Sequence, residues 1–182
     1  MAGFDLAKIN AVLSRIPEQF NGKEAKVGWF PAQYATGDHP YVAYVAMIQE
    51  MGAPEVGIPA RPFIRPAIEK HQSEWVQTMA DGAKGVLHGM ITADAVLTGV
   101  GAKAVNDIKT QISLGDVEPL SPVTLVLRKW RREGVPITGK TVGEAAAAYK
   151  ADPSIIDGVN ADPLRDTGLL SASVTNVVGA PE

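Results

Sequence analysis

The chain has 182 residues, 46% of them apolar, a net charge of −3 and no cysteine. That length can bury a substantial core in one domain, and that charge supplies no general attraction to nucleic acid or to an acidic membrane. Without cysteine there is no disulfide, thiol nucleophile or zinc–thiolate site, and no apolar run approaches the ~20 residues that span a bilayer.

The opening Met-Ala-Gly-Phe-Asp-Leu lacks the basic segment and apolar stretch of a signal peptide. With the missing thiols, this fits assembly in a reducing cytoplasm. Residues 4–16 place Leu6, Ile9, Val12, Leu13 and Ile16 at helical spacing, and Pro17 is expected to end that helix. Ala25–Phe30, with Val27, Trp29 and Phe30 between Gly22 and Pro31, predicts a strand, and 31–40 a loop. Tyr41–Met51 predicts a short helix with Tyr41, Tyr44, Val45, Ile48 and Met51 on its apolar side, closed by Gly52.

Gly57-Ile-Pro-Ala-Arg-Pro-Phe-Ile-Arg-Pro-Ala67 follows. Each proline fixes its own φ and biases the residue before it toward extended geometry, so 57–65 is expected to run as a stiff arm. Pro66 then fits the first turn of the next helix. In that helix Ile68, Trp75, Met79, Val86 and Met90 form one stripe. Gly82, Gly85 and Gly89 either weaken it or permit close helix–helix approach. Gly99 and Gly101 are expected to interrupt the pattern, which Val105, Ile108 and Ile112 resume as far as Gly115.

Ser121-Pro122 is an N-cap followed by proline at the first helical position, predicting a helix through Arg132. Thr141-Val-Gly-Glu144 reads as a capping box opening an alanine-rich helix through Tyr149. Near the end, Ser173-Val-Thr-Asn-Val-Val178 is β-prone. The expected fold is α+β: a helix-rich single domain over 1–182, with a small, mostly antiparallel sheet and a proline-stiffened extended arm.

Three motifs bear on chemistry. Gly134-Val-Pro-Ile-Thr-Gly-Lys-Thr141 satisfies the phosphate-loop pattern, whose backbone N–H groups cradle phosphates while lysine and hydroxyl reach the terminal phosphate and Mg²⁺. It follows a charged segment rather than a buried strand, and Pro136 removes a donor, so a surface loop ahead of a capped helix is favoured. Arg128, Lys129, Arg131 and Arg132 surround Trp130. They are candidates for phosphate contact with DNA, against the blander reading of a solvated helix face with Trp130 turned inward. His39, His71 and His88 have no second ligand at helical spacing, and no serine sits in a nucleophile elbow. No catalytic residue, metal or cofactor is expected.

Tyr44-Val-Ala-Met-Ile-Gln-Glu-Met-Gly52 with Ile58–Ala67, then Leu120-Ser-Pro-Val-Thr-Leu-Val-Leu-Arg128 and Pro163-Leu-Arg-Asp-Thr-Gly-Leu-Leu-Ser-Ala-Ser173, together carry a resemblance. Their order and spacing over roughly 40–178 resemble the neck and tail-completion (minor tail) proteins of long-tailed bacteriophages and prophages. The 133–161 region departs from that pattern by its length, so the resemblance implies an insertion or loop region there. The resemblance implies a non-enzymatic virion structural protein, a collar or head–tail joining component. It would form a cyclic homo-oligomeric ring, a hexamer matching the tail's symmetry, around the DNA channel. The implied partners are further copies of itself, the head–tail connector, the tail terminator or tail-tube proteins, and genomic DNA touched non-specifically, with no membrane. The implied locale is the virion neck, after assembly in the host cytoplasm.

On this reading Arg61, Pro62, Phe63 and Arg65 are interface residues, with Phe63 as anchor and the arginines as orienting donors. The alternative packs the arm on its own domain with Phe63 in the core. Arg165 and Asp166 are further interface candidates: Asp166 pairs with Arg165 of a neighbour or with an arginine of the arm. As a local device, Asp166 with Thr167 instead caps the helix starting at Leu169, and that reading is favoured. Two functional alternatives stand beside the neck protein: nucleotide binding through Lys140 and Thr141, and DNA contact through 128–132.

Overall fold

The computed structural model describes residues 14–30 and 42–180. The helix expected at 4–16 therefore falls almost wholly outside the described residues, as do the loop at 31–40 and Tyr41. The elements are α1 (Arg15–Phe20), β1 (Glu24–Gly28), α2 (Val42–Met51), α3 (Ile64–Leu87), α4 (Ala93–Leu114), α5 (Pro122–Arg132), α6 (Gly139–Ala151), α7 (Leu169–Ser173) and β2 (Thr175–Gly179). Short 3-10 turns occupy Pro54–Val56 and Pro153–Ile156. The fold is α+β and helix-rich, with one small antiparallel sheet among the described residues. In it β1 pairs with β2, from Glu24 opposite Gly179 to Gly28 opposite Thr175.

Helices α3 and α4 form the long framework. Gly82 is where they approach: a Cβ there would lie 2.5 Å from Cγ1 of Val96, so only glycine fits. Of the two readings of these glycines, close approach holds at this position. Trp75 Nε1 donates to the buried Asp107 carboxylate at 2.7 Å, and Lys103 pairs with Glu74 at 2.9 Å. Helix α4 also lies against both strands, where Gly101 faces Asn176 with no room for a side chain. Gly99 and Gly101 consequently do not interrupt the helix as expected. Tertiary packing of α4 outweighs about 1 kcal/mol of lost propensity per glycine.

The core gathers Val42 and Ala46 of α2, Phe63, Ala67 of α3, Ile108 and Ile112 of α4, then Leu164, Leu170 and Val174. Trp29 meets Phe63 edge-on, with ring centroids 5.8 Å apart, and its indole N–H donates to the Leu170 carbonyl at 2.9 Å. This satisfies the polar end of a large, mostly apolar side chain.

Several expectations need correction. Pro17 does not end a helix but sits in the first turn of α1, where its missing N–H breaks no intrahelical bond. Helix α2 buries Val42, Ala46 and Glu50, whereas Tyr44, Met47 and Met51 are exposed. Its sequence is apolar nearly all round, and the packing of 164–174 selects a different face from the expected one. In the α3 stripe Val86 is buried, Trp75 and Met79 are half-buried, and Ile68 is exposed. Met90 lies beyond the helix and is 76% exposed. Helix α6 begins three residues earlier than expected. Thr138 is its N-cap, and its capping box is closed by Thr141 rather than opened by it.

Candidate functional site

The arm is extended only as far as Pro62, because α3 already starts at Ile64. The cause is Glu50, on the inner face of α2 and 6% exposed. Its carboxylate accepts from the backbone N–H of Phe63 at 2.7 Å, Ile64 at 2.8 Å and Arg65 at 3.1 Å. These are the donors that a helix N-terminus leaves without intrahelical partners, and a negative charge there also suits the helix dipole. Arg65 closes the arrangement, its Nε donating to Glu50 Oε1 at 3.0 Å and its Nη2 to the Glu50 carbonyl at 2.8 Å. The residue before a proline ordinarily avoids helical geometry. At Arg65 this capping overrides the bias. Burial works against the Glu50 charge, but the N–H groups of Ile64, Phe63 and Arg65 and the Arg65 guanidinium outweigh it. They hold its pKa below the usual carboxylate value.

Phe63 is completely buried within its own chain. Its expected role as an anchor in a neighbouring subunit is therefore corrected: it is a core residue. Arg61 is likewise committed within the chain. Its Nε donates to the Glu118 carbonyl at 2.6 Å and its Nη2 to that of Pro119 at 3.0 Å. Burial lowers its pKa, opposed by the nearby Glu118 carboxylate. Pro62 is half-buried, and Arg65 stays largely exposed beyond its contacts with Glu50.

The second cluster lies on α5, which opens as its Ser-Pro pair predicts, with Ser121 Oγ accepting from Thr124 N–H at 3.2 Å. Helical spacing turns Leu125, Val126 and Arg128 inward. Arg128 donates through Nη1 to the carbonyls of Asn160 at 2.9 Å and Asp162 at 2.8 Å, and through Nη2 to that of Pro163 at 3.2 Å. One guanidinium thereby organises a loop that has no regular structure of its own. Burial, followed by the neighbouring Arg131 and Arg132, depresses the Arg128 pKa. Asp162 opposes that shift, and Arg61 adds to it from the arm.

Asp166 pairs with Arg131, with Arg132 Nη2 at 3.2 Å and with Arg128 Nε at 3.8 Å. Its expected partners, Arg165 or an arm arginine, are replaced by the α5 cations. Nor does Asp166 cap α7. Thr167 Oγ1 accepts the Leu169 N–H at 3.3 Å instead. Arg165 is exposed, and its carbonyl accepts from Asn160 Nδ2. Among the DNA-contact candidates, Arg128 is buried and spent on carbonyls, and Lys129 Nζ donates to the Ile155 carbonyl at 3.1 Å. Both are corrected to structural roles. Arg131 and Arg132 are half-exposed around Asp166, and Trp130 is half-buried.

Between α2, α5 and the 163–170 segment is a cleft of about 280 Å³. Val42, Val45 and Leu170 give it apolar walls, and Gln49, Arg131 and Asp166 a polar side. The phosphate-loop-like string lies elsewhere and connects helix α5 to helix α6. Thr141 Oγ1 accepts the Thr138 N–H at 2.6 Å, and Lys140 is exposed beside Glu144 at 3.6 Å. Among the described residues no group of acidic residues and histidines could hold a metal, and no helix is long and apolar enough to cross a membrane.

Glu50 is the site residue that sequence reasoning missed. Its one signal was a lone carboxylate on an otherwise apolar inner helix face, shortly before an Arg-Pro-rich segment. Comparison with family models, with curated proteins and with solved structures finds no match to this chain.

Proposed function

We propose that this protein is a structural component of the head–tail neck of a long-tailed phage, a tail-completion or collar subunit. It acts by assembling into a ring, a hexamer, around the DNA channel, and catalyses nothing. Its partners are further copies of itself, the head–tail connector and the tail terminator or tail tube.

One observation carries the reading. The blocks on which the resemblance rests, 44–52, 58–67, 120–128 and 163–173, are tied to one another by side-chain hydrogen bonds, and all but the second contribute residues to one cleft. Arg61 of the second block bonds Gln49 of the first and the carbonyls leading into the third. Arg128 of the third bonds the carbonyls leading into the fourth. Their co-occurrence in the sequence thus corresponds to one physical unit. The exposed Tyr44, Met47 and Met51 add apolar surface of the kind that association covers. Nucleotide binding gains no comparable support, because the string leaves a helix rather than a strand and Thr141 is engaged in capping.

Multi-angle light scattering of the purified chain, alone and mixed with tail-tube and connector proteins, tests the proposal. A ring or a stoichiometric co-complex is expected. A monomer under every condition would overturn it.

A further inference from the structure

The cleft has an apolar wall and a cationic edge. Val45 and Leu169 contribute to the wall, and Arg131 to the edge, with Arg132 beside it on the same Asp166 carboxylate. Three guanidiniums share Asp166, so even with Asp162 near Arg128 the cations outnumber the carboxylates. A fitting occupant brings an apolar side chain next to a negative charge.

The chain itself displays such a pair. Past the C-terminal end of α2 it turns back through Ala53–Ile58, where Ala53 and Ile58 exchange both backbone hydrogen bonds, at 2.8 and 3.0 Å. Inside that bridge Val56 N–H donates to Ala53 O at 3.1 Å and Gly57 N–H to Pro54 O at 3.0 Å. Pro54 restricts its own φ, and Gly57 takes the left-handed φ of +72° that closes the turn. At its base Gly52 has φ +76°, and a Cβ there would lie 2.7 Å from the Ala60 nitrogen. The result is a constrained tip presenting an exposed Glu55 and a Val56 that is 69% exposed. A tip held this way loses little conformational freedom on docking.

We propose that the Pro54–Gly57 tip of one copy seats in the cleft of the next, with Val56 against Val45 and Leu169 and Glu55 facing Arg131. The inference rests on the ring reading and supplies its subunit contact. Tip and cleft are different surfaces, so the contact is heterologous. It passes from copy to copy and closes when the rotation between copies permits.

The lack of cysteine makes engineered thiols a clean probe. Chains carrying both Val56→Cys and Leu169→Cys, mildly oxidised and run on a denaturing non-reducing gel, are expected to give a ladder of dimer, trimer and larger species. Neither single variant should cross-link alone, and a mixture of the two should stop at dimer. Dimers from Val56→Cys alone would mean that tip meets tip, which overturns the proposal. A wild type that associates while the double variant gives no ladder overturns it too.

Charge exchange provides a second measurement. Glu55→Arg and Arg131→Glu should each weaken self-association roughly tenfold, and the pair together should recover most of it. Circular dichroism checks that each variant is folded. Both single variants associating like wild type would remove the tip contact and leave the ring reading standing. A wild type that is monomeric alone and with tail-tube and connector proteins would remove the ring reading itself.

Discussion

The arm and α5 use the same two kinds of side chain to opposite effect. At the arm a buried carboxylate from α2, Glu50, spends itself on three backbone N–H groups and one guanidinium, so charge and hydrogen bonding are both closed locally. On α5 a buried guanidinium, Arg128, spends itself on three carbonyls, which carry no charge to neutralise it. The carboxylate nearby, Asp166, is divided among three cations. The first arrangement fixes a helix start and is finished. The second fixes a loop and leaves positive charge facing a cleft. A similar inventory of residues therefore closes on itself in one place and leaves charge beside an open cleft in the other.

Substitutions separate the two. The largest effect is expected from Phe63→Ala, which empties the point where arm, Trp29 and α4 meet. Urea denaturation should show a loss of about 3–5 kcal/mol. A loss under 1 kcal/mol would mean that the arm is not part of the core.

Glu50→Ala should cost about 2–3 kcal/mol, since it leaves buried donors without a partner at the start of α3. The same carboxylate has a depressed pKa in the folded chain, so its contribution is present above the ordinary carboxylate range. It is lost as pH falls through the folded value. Stability below about pH 4 should therefore fall more steeply for wild type than for Glu50→Gln. Parallel curves would show that the carboxylate's charge contributes nothing.

Arg128→Lys keeps the charge but loses the planar fork that reaches three carbonyls. A loss of about 1–2 kcal/mol is expected, with faster amide exchange confined to 160–166. Exchange that rises equally around the arm would blur the comparison. The smallest change belongs to Asp166→Asn, about 0.5–1 kcal/mol, because two of its three partners are half-exposed and screened. That difference should shrink in high salt, unlike the effect of Glu50→Ala.

Local rules explain what was legible in the sequence. Ser121-Pro122 opens α5 as expected, and the predicted strands are present at β1 and β2, displaced by a few residues. What local rules miss is which distant group completes each element. Arg65-Pro66 reads as extended until Glu50, fifteen residues before Arg65, supplies the cap. Tyr44 and Met51 read as core until the 164–174 segment takes the Val42–Ala46 face. Gly101 reads as a break until Asn176 occupies the space it leaves. The arginine cluster was visible as a string, but its division into one buried clamp and two half-exposed partners of Asp166 required the 160–166 loop.

The pairing of β1 with β2 has a consequence in time. During synthesis at about 5–20 residues per second, β1 waits on the order of ten seconds for the strand that completes it, because Thr175 follows Gly28 by about 150 residues. Leu170, which accepts the Trp29 indole hydrogen bond, arrives equally late. The α3–α4 pair can form long before then, so the nascent chain carries a helical framework with an open seam. That seam shuts only when β2 leaves the ribosome, so the surface it completes forms well after the α3–α4 framework.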